Sequence, residues 1–412
     1  MEARRSLIDR VVRIVAVAAV FSLVVGYAIF LFPSTKTDQT SGTDFSEFYC
    51  AGLMVRQGLG HRLYDLAEQA RCQSAVASVR AFYLRPPFES LLFIPLSYLN
   101  YRHAYLLWTL ASVLMLVISA HFIESLTTAS RAITRHTHIW ADFGLLLALF
   151  VTFSPFATSL VLGQDAALVL LIYTLVFVLL VRRQEVAAGL VLGCALFKFQ
   201  MVLPLTLILL LRRKWGALVG LSASGAVLVL ISVAISGRQV LLQYPRLLLT
   251  PGPYRKLLGW TPLCMPNVRG LLTLLLGNFS STATITFLTI MVSFLLVCLA
   301  ARFWNDDQPK LSFGAALLAS LLTSYHLYHY DLTLLLLAIP IVFGEQLSRA
   351  AKWSAVPFFI PPLHVFLLER GIYSLMFVPM AGLLVGAISV LRSRRISARR
   401  CAAFGGEPAA KR

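Results

Sequence analysis

A polar stretch between Thr43 and Pro87 gathers side chains able to take a proton and hold an anion: Asp44, Glu47, Tyr49, Tyr64 and Arg85. Asp44 and Glu47 are three residues apart, so on a helix they share a face. A carboxylate can take a proton from a hydroxyl, a guanidinium can grip a phosphate through paired N–H groups, and a phenol suits a wet apolar edge. The competing reading is a solvated loop whose amphipathic helix lies on a bilayer. Farther along, polar residues interrupt apolar sequence at Gln164-Asp165, Lys198 and Gln200, Asn267 and Arg269, and finally His326, Tyr328, His329 and Asp331. A lysine at membrane depth is a functional candidate by default, with snorkelling to the headgroups as the alternative. His326 and His329 are spaced to share a helix face. Hydrogen bonding to a phosphate or carboxylate suits them better than metal ligation, and no metal is expected. There is no GxxxxGK[ST] phosphate loop and no HExxH, and the six cysteines form no CxxC.

The elements that must position these groups are membrane helices. Hydrophobic residues make up 58% of the 412 and charged residues 13%, against roughly 25% charged in an ordinary soluble domain. The net charge of +18 is not a nucleic-acid footprint. The arginines lie between and beyond apolar runs, where a positive-inside bias puts them. The fold class is therefore an all-α polytopic membrane protein.

Arg4, Arg5 and Arg10 precede an apolar run over 11–32, with Arg13 in its first turn, and the run reads as a retained first span leaving the N-terminus in the cytoplasm. The loop over 33–87 is then exterior, with two short helices expected at the membrane surface. Further spans are expected near 103–123, 139–161, 166–181, 215–236, 283–301, 353–368 and 372–391. Two short hairpins are expected over 187–211, with KFQ at the tip, and over 311–343, around SYHLYHYD. The total is about 12 membrane segments. Both termini are cytoplasmic and every polar tip faces outward. Residues 1–391 form one membrane domain and 392–412 a basic cytoplasmic tail. Cys50 and Cys72 share the oxidising side, but sequence does not establish their distance.

Several stretches together resemble a known family. GTDFSEFYCAG followed by LYD, YLRPPFESLLFIPLSYL, LGQDAALV, AAGLVLGCALFKFQ before RRKW, PNVRG and the histidine–aspartate hairpin look like the polyprenyl-phosphate-dependent glycosyltransferases of family 87. The match covers most of residues 7–391 and implies a GT-C-like helix bundle. The resemblance implies transfer of a sugar, a hexose or pentose, from a polyprenyl-phosphate donor to a lipid-linked or envelope glycan acceptor. Transfer would take place on the extracytoplasmic side of a bacterial-type inner (plasma) membrane, with inversion and no cofactor. The aspartate of the family's DF motif falls on Asp44, as general base. The lysine–glutamine hairpin falls on Lys198 and Gln200, and the late histidine on His326 or His329. Arg85, Lys198, His326 and His329 are then expected at the donor phosphate. Glu47, Tyr49, Tyr64, Gln164, Gln200, Asn267 and Asp331 are expected around the sugar or acceptor. A lipid-linked saccharide transporter or flippase is the alternative, since it too needs polar residues in a bundle. Alternating access does not call for a carboxylate-rich exterior platform.

Overall fold

Every regular element is a helix, and no strand occurs among the described residues. A backbone in hydrocarbon must satisfy its own hydrogen bonds, so this apolar sequence has little other choice. The structure, a computed structural model, describes residues 44–76, 81–128, 143–249 and 261–403. The expected first span at 11–32 and the start of the span expected near 139–161 lie outside the described residues.

The exterior stretch forms α1 (Phe45–Arg56) and α2 (Leu66–Ser74). Asp65 caps α2, its carboxylate accepting from the Ala67 and Glu68 N–H groups. α1 is not the surface helix expected: every residue from Phe45 to Gly52 is buried. Phe45 and Phe48 pack with Phe93, and Phe45 also meets Tyr101 and Tyr105. The Phe93 backbone lies so close to Gly52 that any Cβ there would collide with it. A disulfide between Cys50 and Cys72 joins α1 to α2, a closure that stabilises by about 3 kcal/mol through the unfolded chain. Pro86, Pro87 and Pro95 then forbid a continuous α-helix. The stretch folds instead as two 3₁₀ turns, Pro87–Phe93 and Leu96–Tyr98.

α3 (Tyr101–Thr128) follows as a long apolar helix. The single run expected over 139–161 is divided into α4 (Phe143–Val151) and α5 (Ser154–Leu162), with Pro155 in the first turn of α5. Next come α6 (Ala166–Val181), α7 (Glu185–Gly193) and α8 (Phe199–Leu211). Around the 3₁₀ turn Leu196–Lys198, α7 and α8 are bent by 67°, an open bend instead of a closed hairpin. The chain continues through α9 (Trp215–Ser236), α10 (Val240–Leu249), α11 (Val268–Leu276), α12 (Thr282–Phe303) and α13 (Pro309–Thr323). A 3₁₀ turn, His329–Leu334, leads into α14 (Leu335–Phe343). The last helices are α15 (Arg349–Trp353), α16 (Pro361–Glu369) and α17 (Phe377–Ala403).

Four helical stretches are long and apolar enough to cross a membrane: Tyr101–Leu126, Trp215–Ser236, Thr282–Phe303 and Tyr373–Ser397. The count reaches six if the bent pairs around residues 194–195 and 360 each make one span. These numbers refer to the described residues and fall short of the twelve segments expected. Ala166–Val181, Pro309–Thr323 and His329–Phe343 are apolar but shorter. They need not face lipid over their length, because protein surrounds them: α13 is buried at every residue from Leu311 to Thr323. α9 and α12 are the reverse, long and mostly outward-facing. α7 packs closely on α9 because small residues meet there. Side chains added at Gly189 or Gly220 would strike the backbone of the other helix, the close approach that small-xxx-small patterns permit.

Candidate functional site

The polar residues converge on one turn, Gly163-Gln164-Asp165, between α5 and α6. Gly163 ends α5 in the left-handed region at φ 68°, and the Gln164 N–H reaches back to the Ser159 carbonyl. This is the Schellman closure that glycine favours. The turn is also held from outside. Trp108 Nε1 donates to the Gly163 carbonyl at 3.0 Å, and the Tyr105 hydroxyl donates to the carbonyls of Leu160 and Val161. Its two polar side chains are thereby aimed in fixed directions, and both are buried.

Gln164 Nε2 donates to Asp44 Oδ2 at 2.7 Å. The other Asp44 oxygen accepts no hydrogen bond among the described residues. Burial pushes the Asp44 carboxyl up from its ordinary range, against the opposing pull of Gln164 and Arg85. Asp165 faces two cations: Arg85 Nη1 at 3.3 Å and Lys198 Nζ at 2.5 Å. Lys198 Nζ also lies 2.6 Å from Asp331 Oδ1 and 5.3 Å from the centre of the Tyr330 ring. The second Asp331 oxygen accepts from the Tyr328 N–H at 2.9 Å, so the aspartate also shapes its own loop. A ladder of contacts thus ties α1 to the α5–α6 turn, the α7–α8 bend and the turn before α14. Lys198 is 1% exposed, far too buried to snorkel. Its charge is instead compensated by two carboxylates.

Other expected site residues are occupied differently. The Tyr49 hydroxyl donates to the Leu99 carbonyl and the Tyr64 hydroxyl to the Arg85 carbonyl, so both hold backbone. Tyr64 also stacks on Tyr244 of α10. Asn267 caps α11 by accepting from the Gly270 N–H, and its amide donates to the Ser324 carbonyl. Glu47 is buried, and burial pushes its carboxyl well up despite Arg85 nearby. Gln200 is half-buried on the first turn of α8, with no hydrogen bond from its side chain among the described residues. Among the described residues no hydrogen bond or ion pair joins Lys198 to either histidine, whereas Asp331, from the same loop, is bonded to it. His326 lies between the rings of Tyr325 and Tyr328, and burial together with Arg269 pushes its imidazole down to about 4. His329 packs against His364 and Tyr373. Among the described residues no three His, Cys, Asp or Glu side chains are grouped to hold a metal ion.

Arg269, which the sequence marks as a polar break without a role, and Glu89, which sequence reasoning passed over, join the site. Arg269 lays its guanidinium over the Tyr325 ring at 4.2 Å. Glu89, 1% exposed, lies beside Arg85 and Asp165. Its signal was a lone carboxylate opening an apolar run directly after Pro86-Pro87-Phe88.

Residues 83–340 match the model of glycosyltransferase family 87. That interval contains Arg85, Gln164, Asp165, Lys198 and Asp331, and begins after Asp44. No curated protein matches the chain, and no solved structure does.

Proposed function

The chain belongs to glycosyltransferase family 87 and is a membrane glycosyltransferase, and on that premise we propose that it moves a sugar from a polyprenyl-phosphate donor, with Asp44 as general base. The acceptor is lipid-linked or an envelope glycan, reached from the extracytoplasmic side of an inner membrane in which both termini are cytoplasmic. The bundle is GT-C-like, with about 12 membrane segments. The observation that carries this reading is the Asp44–Gln164 hydrogen bond beside the Asp165–Arg85–Lys198 cluster. It supports a proton acceptor and an anion-binding cation fixed by the two side chains of one turn.

Asp44 has the features of such a base. One oxygen is held by Gln164, and burial makes the carboxylate more basic than it is in water. In the reaction an acceptor hydroxyl gives its proton to Asp44 as its oxygen bonds to the anomeric carbon. The bond from that carbon to the phosphate oxygen breaks, and its electron pair leaves with the lipid phosphate. Attack opposite the leaving group inverts the anomeric centre. Arg85 offers N–H groups to the phosphate as charge grows on it. Lys198, already flanked by Asp165 and Asp331, acts mainly as the strut that keeps Arg85 and the turn in register. His326, neutral near pH 7, serves as a hydrogen-bonding group and not as a cation. Glu47 orients the acceptor.

Purified protein given a panel of polyprenyl-phosphate sugars tests this. Asp44→Asn should bind donor normally and lose transfer by about 10²–10⁴-fold. Normal turnover by that variant refutes the assignment. Product mass separates transfer from transport: a gain of one sugar supports the enzyme, whereas unchanged donor appearing across a bilayer supports a flippase.

A further inference from the structure

Glu89 is the buried carboxyl that the reaction above leaves unused. It lies in the 3₁₀ turn Pro87–Phe93, 1% exposed. Arg85 faces it from its own segment, Glu47 from α1, Asp165 from the turn before α6 and Lys198 from the α7–α8 bend. The phenols of Tyr64, Tyr83 and Tyr244 are within its electrostatic reach. The two cations of this cluster are already balanced by Asp165 and Asp331. A carboxylate at Glu89 would be uncompensated, and an uncompensated buried charge is strongly unfavourable.

The hydrogen-bond pattern agrees with a neutral group. Neither Glu89 oxygen has a conventional hydrogen-bond partner among the described residues. The carboxyl is instead within hydrogen-bonding reach of Asp165. Two carboxyl groups this close do not both ionise; they share a proton. Burial opposes charge on both, but Arg85 and Lys198 outweigh it at Asp165 and hold that group low. Burial pushes Glu89 up to about 8, so the shared proton sits on Glu89 at neutral pH.

We propose that Glu89 is a positioning residue for the donor phosphate: as a neutral carboxyl it donates a hydrogen bond to Asp165, fixes that carboxylate between Arg85 and Lys198, and keeps a further negative charge away from the phosphate. This rests on the donor reading above. Loss of the Glu89 proton frees Asp165 and adds an anion beside Arg85, so donor affinity falls on the alkaline side. The sign follows from the direction of the shift: the group is neutral below about 8 and charged above it.

The test is the donor KM of purified full-length wild type and Glu89→Gln, measured from about pH 6 to about pH 10 with one polyprenyl-phosphate sugar. One ionisation centred near 8 makes the wild-type KM rise about tenfold between pH 7 and 9. Glu89→Gln, neutral and nearly isosteric, should match wild type below pH 7 and stay flat above it. An alkaline rise that persists in Glu89→Gln overturns the proposal, as does a folded Glu89→Gln protein that binds donor poorly at every pH. If the variant does not fold, a wild-type KM that stays flat through pH 9 overturns it just as well. Absence of transfer by wild type from every polyprenyl-phosphate sugar is a different failure, that of the donor reading itself.

Discussion

Two clusters of opposite charges lie at the two ends of α6 and α8. At one end, Lys198 is joined to Asp165 and Asp331 and Arg85 to Asp165, at 2.5–3.3 Å, with lysine and aspartate side chains 1–4% exposed. At the other, Lys214 meets Glu185 at 3.0 Å and Asp306 at 2.8 Å, and the carboxylates are 30% and 44% exposed. Residue types and distances are nearly the same. What differs is water. In the wet cluster solvent screens the charges, and the bonds act as clasps on the α6–α7 and α8–α9 turns. In the dry cluster every charge must be answered by another, so removing one partner is felt by all. Asp44 hangs on the dry cluster through Gln164.

Lys198→Met against Lys214→Met is the sharpest way to break that comparison. Lys198→Met strands two buried carboxylates and should cost about 3–5 kcal/mol, whereas Lys214→Met should cost at most about 1 kcal/mol. Unfolding in detergent reads both, and equal losses would erase the distinction. Among the described residues, only the dry end is tied to a covalent staple, the Cys50–Cys72 disulfide. Cys50→Ser should lose about 3 kcal/mol, and thiol reductant should reproduce the loss in wild type and leave the variant unchanged. Gln164→Leu removes a hydrogen bond that favours the charged form of Asp44. The base would then protonate more readily, so the acid limb of the rate profile should move to higher pH; an unmoved limb separates Gln164 from Asp44. His326→Asn is the smallest change. The imidazole, held near 4, is neutral from pH 5.5 upward. The variant should therefore keep the wild-type profile over pH 6–8, and a limb lost there would make His326 a titrating participant.

Periodicity and charge made the helical membrane class and most helix positions legible, because apolar runs of fixed length and arginine-rich turns are local signals. The burial of α1 was not legible. FSEFYCAG reads as an amphipathic edge until Phe93, Tyr101 and Tyr105 arrive from distant sequence to cover it. The KFQ tip was found as a polar break in apolar sequence, but its partners were not. Asp165 and Asp331 lie 33 residues before and 133 residues after Lys198, and no local pattern joins them. Asn267, Tyr49 and Tyr64 carry residue types suited to an acceptor, and no local pattern shows that their hydrogen bonds go to a cap and to carbonyls. Glu89 was overlooked because a lone carboxylate in an apolar run carries no motif.

In the proposed mechanism Asp44 and Arg85, joined through the Gln164-Asp165 turn, face one reacting group. An experimental structure with a polyprenyl-phosphate sugar bound tests it most directly. The phosphate should lie in hydrogen-bonding contact with Arg85 and the anomeric carbon should turn toward Asp44, with room between them for a hydroxyl entering from the exterior side. A phosphate bound away from Arg85, or an anomeric carbon out of reach of a hydroxyl bonded to Asp44, would contradict it.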